Sequence, residues 1–197
     1  MISTTCYDSP LGRMLATAAE HALTGLYFID QKYYPSVTDV WHEDDSAQPF
    51  VALRLQLDEY FAGTRRVFDL PLNPGGSGGT SFQRKIWSSI AAVPFGETVS
   101  YATLATRSGR PSAARASGAA TGRNPISLIV PCHRIVGSGG ALTGYAGGLA
   151  RKRALLAFER AVAAGEFREI ARIVAGVDAV PSQTSARPER QSDLGLR

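Results

Sequence analysis

The sequence predicts an α+β fold: a small N-terminal α/β module, an antiparallel sheet plus a helix, then a mostly helical C-terminal domain with a helix-turn-helix and a cysteine-bearing loop. Three observations lead there. Short segments at 3–7, 13–18 and 22–29 are broken at Ser9-Pro10-Leu11-Gly12 and near Glu20-His21, the punctuation of an antiparallel meander. From Phe50 onward, apolar residues recur mainly at helical spacing. Between the two regimes the run Asn73-Pro74-Gly75-Gly76-Ser77-Gly78-Gly79-Thr80 is too flexible for the interior of an element. Charge reverses across it: residues 1–80 carry 5 Lys and Arg against 10 Asp and Glu, and residues 81–197 carry 16 against 7. The boundaries that follow are a module at 1–72, a linker at 73–80, a second domain at 81–164, and a short helix and tail at 165–197. The glycine run also fits a long surface loop inside one domain.

Each element has its own reason. Ala16 to Ala19 weaken the second strand, and residues 31–48 read as an irregular acidic connection. Phe50, Leu53, Leu57 and Phe61 make a helix that Gly63 stops. Phe82, Ile86, Ile90 and Val93, with Trp87 beside them, make a second helix ending at Pro94-Phe95-Gly96. Ser100 stands as N-cap of a short helix closed by Gly109-Arg110-Pro111, and Ser112 as cap of a third running from Ala113 to about Gly122. Two short helices about a glycine-containing turn are a helix-turn-helix pattern. The third helix is built of Ala113, Ala114, Ala116, Ser117, Gly118, Ala119 and Ala120, with Arg115 its single long side chain. Reading bases in the major groove needs several long polar side chains, so this slim face suits the minor groove and contacts indifferent to sequence. Close helix packing explains the small residues nearly as well. A helix from Leu149 to about Ala164 opens with Arg151, Lys152 and Arg153, the wrong sign for a helix N-terminus; an external anion, an active-site role or plain solvation each accounts for them. Beyond Gly165 the spacing of Phe167, Ile170, Ile173 and Val174 predicts a short helix, and from Val180 the composition predicts disorder.

Residues 122–148 hold the chemistry. Leu128 to Val130 read as an apolar strand ending at Pro131, which delivers Cys132 into a loop rich in glycine. A thiol becomes nucleophilic as the thiolate, favoured beside histidine or a cation, and His133 and Arg134 are two such neighbours. A lone cysteine is more often a buried apolar filler. Glu159 is the carboxylate best placed to orient His133, and it shares a helix face with Lys152. The two cysteines, Cys6 and Cys132, lie far apart, and no leader-like segment opens the chain. Free thiols in a reducing cytoplasm are expected. No apolar run approaches membrane-spanning length, so a soluble protein with no membrane partner is expected. The basic second half suits a polyanion, nucleic acid above all, although solvated arginine is nearly as good an account.

The segments FQRKIW, PFGETVSYATLA, AARASGAA, GRNPIS, LIVPCHRIVG and LTGYAGGLARKRALL, with Glu159, closely resemble the O6-alkylguanine-DNA alkyltransferases, also called methylated-DNA-protein-cysteine methyltransferases. The likeness covers about Phe82 to Glu159, with only SPLG and DEYFAGTRRVFDLPL matching upstream. It implies direct-reversal repair of duplex DNA: the helix-turn-helix enters the minor groove, the damaged guanine is flipped out, and Cys132 takes its alkyl group once and irreversibly. O4-alkylthymine is an expected second substrate. It further implies that Arg115 fills the vacated stack, that His133 and Glu159 activate the thiol through a bridging water, and that Tyr101 donates to the leaving guanine. Asn124 would brace the turn beneath Cys132. Tyr145, Gly144, Ala146, Gly147, Ile135 and Lys152 would line the pocket. Ser100, Ala113, Ala114, Ala116, Ser117, Gly118 and Ser138 would join Arg115 on DNA. A monomer without cofactor, metal or obligate protein partner is expected; the structural zinc of some relatives has no convincing ligand set in Cys6, His21 and His42. The alternative is a non-catalytic lesion sensor of the alkyltransferase-like type, which lacks the acceptor cysteine. A helix-turn-helix regulator would need a base-reading set, and a thiol hydrolase an oxyanion-hole signal; neither is evident.

Overall fold

The computed structural model describes residues 1–76, 78–166, 168, 172 and 173. Apart from the last three, the helix expected at 167–174 and the tail fall outside the described residues.

Strands β1 (Ile2–Ser9), β2 (Gly12–Ala19) and β3 (Ala22–Phe28) form the expected antiparallel meander. A fourth strand, β4 (Trp41–Glu43), corrects the reading of 31–48 as wholly irregular: it pairs parallel with β1 and completes the order β3-β2-β1-β4. With only three residues and an acidic context, it carries no pattern of its own. Helix α1 (Gln48–Phe61) buries Phe50, Leu53, Leu57 and Tyr60 completely.

The free edge of β3 is covered by two later segments. Leu23 bridges Leu72, with Asn73 N donating to Leu23 O at 2.9 Å and Gly75 N to Thr24 O at 2.8 Å. Further along, Leu26 N donates to Pro125 O at 2.8 Å and Ser127 N to Leu26 O at 2.9 Å. The stretch leading to Cys132 is therefore docked on the N-terminal sheet.

Helix α2 (Ser81–Ala91) starts in a capping box in which the Thr80 hydroxyl accepts from Gln83 N and the Gln83 side chain from Thr80 N. Ser100, in the two-residue strand β5 (Val99–Ser100), caps α3 (Tyr101–Arg107) by accepting from Thr103 N at 3.0 Å. Gly109, at φ +80, turns the chain toward α4 (Ala114–Gly122). Ser112 does not cap α4; the N-cap is Ala113, with no side-chain bond. The Trp87 indole ties α2 to α4 by donating to Ala120 O at 3.0 Å. Strand β6 (Ile135–Val136) pairs parallel with β5, and α5 (Leu149–Ala164) closes the molecule. One cluster of buried apolar residues runs from Tyr7 to Val162, so both halves share a core.

Candidate active site

The segment expected to be a strand at Leu128 to Val130 is a turn. Leu128 adopts φ +69, and Cys132–Arg134 is a single 3-10 turn rather than extended chain. The cause is Asn124, buried beneath it. The Asn124 amide nitrogen donates to Val130 O at 2.7 Å and Ile126 O at 3.3 Å, while its oxygen accepts from Ile126 N at 3.1 Å. These local bonds outcompete the β propensity of Ile129 and Val130. The same amide nitrogen lies 3.0 Å from Cys132 Sγ and donates to it.

Cys132 is 4 % exposed. Burial pushes its thiol up, against the Asn124 bond and the charge of Lys152. The resting group is thus a thiol that needs a base. Arg134 does not act on it as expected: its Nε and Nη2 bond the Glu159 carboxylate at 2.9 and 2.8 Å, and its Nη1 donates to Val93 O at 2.6 Å. The cation that bears on the sulfur is Lys152.

Glu159, fully buried on α5, accepts from His133 Nε2 at 2.9 Å, from Arg134, from the Tyr60 hydroxyl at 2.9 Å and from Gly96 N at 3.1 Å. Burial opposes its ionisation, but the hydrogen bond from His133 and the charge and hydrogen bonds of Arg134 outweigh burial and hold it well below the usual carboxylate range. Burial in turn lowers the His133 pKa and outweighs the pull of Glu159, leaving a neutral ring. A carboxylate only accepts, so Nε2 must carry the proton, and Nδ1 keeps a lone pair. Nδ1 is buried and meets no hydrogen-bonding group of the described residues. It is a base with its lone pair free. Tyr60 and Gly96 escaped the sequence reading: Tyr60 sits between stripe residues of a helix, and its hydroxyl meets a residue 99 positions away.

Lys152 is also fully buried, and burial pulls its pKa down to about 8. Its Nζ donates to Ile135 O, Thr143 O and Gly144 O at 2.5, 2.6 and 3.2 Å. The Tyr101 hydroxyl reaches Thr143 O and Gly144 O at 3.4 and 3.3 Å, long bonds that leave it free to turn. Tyr145 lies edge-on to His133, with ring centres 6.5 Å apart, and its hydroxyl is buried beside Ser127. Gly147 is buried, and a Cβ there would sit 2.7 Å from the Tyr145 ring. Ala146 is half-buried, its carbonyl accepting from Lys32 N at 2.9 Å. Ile135, expected in the pocket, has its side chain in the core and offers its carbonyl to Lys152.

On α4, Arg115 and Ala116 are exposed, and Ala113, Ala114 and Gly118 are half-buried. Gly118 packs on Tyr101, where a Cβ would lie 3.6 Å from the ring. Ser117, expected among the DNA contacts, is instead fully buried and lies off the outer face. Ser100 is half-buried at its cap, and Ser138 is exposed in a second 3-10 turn, Ser138–Gly140. Among the described residues no three His, Cys, Asp or Glu gather as metal ligands, and no helix is long and apolar enough to cross a membrane.

Two family models match the chain: the 6-O-methylguanine DNA methyltransferase ribonuclease-like domain over residues 2–74 and the DNA binding domain of the same family over residues 81–161. A Mycolicibacterium paratuberculosis methylated-DNA–protein-cysteine methyltransferase is 46% identical over 160 residues, 81% of this chain and 93% of that protein. A Mycobacterium bovis protein of the same name is 44% identical over 167 residues, 85% of this chain and 98% of its own. The structure of Mycobacterium tuberculosis OGT in complex with DNA superposes with a TM-score of 0.76 at 44% identity, covering 81% of this chain and 94% of that one. With both halves matched in order, this chain belongs to the methylated-DNA–protein-cysteine methyltransferase family.

Proposed function

We propose that Cys132 is the alkyl acceptor of a single-use DNA repair reaction on O6-alkylguanine, with O4-alkylthymine as a second substrate. The chain repairs DNA by alkyl transfer, as its family does, and DNA is its partner. The observation that carries the assignment to Cys132 is the pairing of two features in one buried site. Asn124 donates to the sulfur at 3.0 Å, and Glu159 fixes His133 in the tautomer whose Nδ1 can accept a proton.

The step balances as follows. The thiol proton passes to His133 Nδ1 through a bridging water. The sulfur pair attacks the alkyl carbon, the carbon–oxygen bond breaks, and its electron pair stays on the guanine. Tyr101, whose hydroxyl makes only long bonds to Thr143 O and Gly144 O, supplies the hydrogen bond or proton that the leaving base needs. The thioether product has no route back, so one molecule acts once. A lesion sensor that only flips and flags the base would have no use for a thiol braced by Asn124.

The minor groove is the docking surface this reading favours. The outer face of α4 is slim, Arg115 projects from it, and Gly118 seats the helix on Tyr101 at the pocket. The division at residues 73–80 and a reducing cytoplasmic setting belong to the same reading, supported by the charge reversal and by two free cysteines.

Incubation with duplex DNA carrying O6-methylguanine is expected to add one methyl group to the peptide containing Cys132, read by mass. Cys132→Ser is expected to abolish transfer and keep DNA binding. An unchanged mass after prolonged incubation of the reduced protein sinks the assignment.

A further inference from the structure

The pocket loop 144–148 is held from two sides. On the inner side Lys152 and Tyr101 both use the Gly144 carbonyl. On the outer side stands the N-terminal sheet, and Arg151 joins the two. The sequence offers Arg151 only as a cation at the wrong end of a helix, yet it is 9 % exposed. Its guanidinium lies 4.4 Å from the centre of the Phe28 ring. Nε donates to Leu11 O at 2.6 Å, Nη1 to Gly147 O at 3.0 Å, and both Nη atoms reach the Asp30 carboxylate, at 2.8 and 3.1 Å. Gly12, at φ +113, makes the room: a Cβ there would sit 2.9 Å from Nη2. No external anion is needed to account for this charge.

Phe28 closes on the loop as well, since a Cβ on Gly147 would lie 3.0 Å from its ring, and Lys32 N holds Ala146 O. This matters for chemistry because Tyr145 sits on the same loop, edge-on to His133. An alkyl group arriving at Cys132 must fit between the sulfur and this wall. How far the wall can retreat depends on what anchors Gly147.

We propose that Arg151 is a positioning residue that sets the size of alkyl group the site accepts, by pinning loop 144–148 to Asp30 and Phe28 of the N-terminal region. The proposal rests on the alkyl-transfer reading of Cys132. A pinned wall holds a methyl group at attacking distance; a loosened wall admits a bulky group and aligns a small one less well. Lysine at 151 keeps the charge but lacks the planar fork that serves Leu11, Gly147 and Asp30 together. Asp30 has a side chain 46% exposed, so asparagine there breaks the ion pair without burying a new group.

The test compares wild type, Arg151→Lys and Asp30→Asn on duplexes carrying O6-methylguanine or O6-benzylguanine, with amide hydrogen exchange followed at 144–148. Both variants are expected to exchange faster there. Their benzyl-to-methyl rate ratio is expected to rise roughly tenfold, the low end of what a methylene-sized change decides in an apolar pocket. An unchanged ratio in folded variants, or equal loss of both rates, overturns the proposal. Should Arg151→Lys fail to fold, Asp30→Asn decides alone. Failure of wild type to transfer either group would sink the alkyl-transfer reading instead.

Discussion

Glu159 concentrates more hydrogen bonds than any other side chain at the site, accepting from His133, Arg134, Tyr60 and the Gly96 amide while fully buried. Removing its charge strands Arg134, so Glu159→Gln is expected to cost about 3–5 kcal/mol in chemical denaturation, the range for breaking a buried pair from one side. The same residue makes the protein acid-sensitive. Its folded pKa is depressed, so the stability it contributes is complete above the unfolded value near 4.3 and drains away as pH falls below it. His133 acts in the same sense from higher pH. Held neutral when folded, it opposes folding once the unfolded ring protonates, below about 6.5. Stability measured by denaturation is therefore expected to decline steadily from about pH 6.5 downward, and Glu159→Gln to flatten the part below pH 4.3.

At the scale of elements, in the proposed function α4 and the turn beneath Cys132 divide the labour of reaching a base and reacting with it. Arg115 is the only long side chain on the helix, and it stands in solvent. Arg115→Ala is expected to slow transfer from duplex DNA at least about tenfold while leaving the rate on free O6-benzylguanine near wild type, since the free base needs no extraction from the stack. Equal losses on both substrates would remove Arg115 from that role. The elements were unequally legible beforehand. Helices α1, α2 and α5 announced themselves because their apolar stripes are local and periodic, and Ser100 because a cap is a one-turn matter. The turn at Leu128 was not legible. Ile129 and Val130 prefer strands, and what overrules them is one amide side chain, Asn124, folded back under the loop. Contacts from further off were hidden for the same reason, as with the Tyr60 hydroxyl on Glu159 and the Arg151 guanidinium on Leu11 and Asp30.

For the whole molecule, an acidic first half joined to a basic second half predicts binding that weakens steeply with salt and varies little with base sequence, measurable as the slope of affinity against salt concentration. The edge of β3 carries a different message, about the order in which the chain assembles. Its meander partners are near neighbours, but the groups that satisfy its outer edge come from Pro71 to Gly75 and from Pro125 to Ser127. Until the second set arrives, some 100 residues later, Leu26 presents an unsatisfied strand edge to any other chain. A fragment of residues 1–76 is thus expected to self-associate in light scattering, where the full chain does not. The segment that carries Cys132 is also the seal of the sheet, so one docking step both closes the first half against aggregation and seats the cysteine-bearing turn.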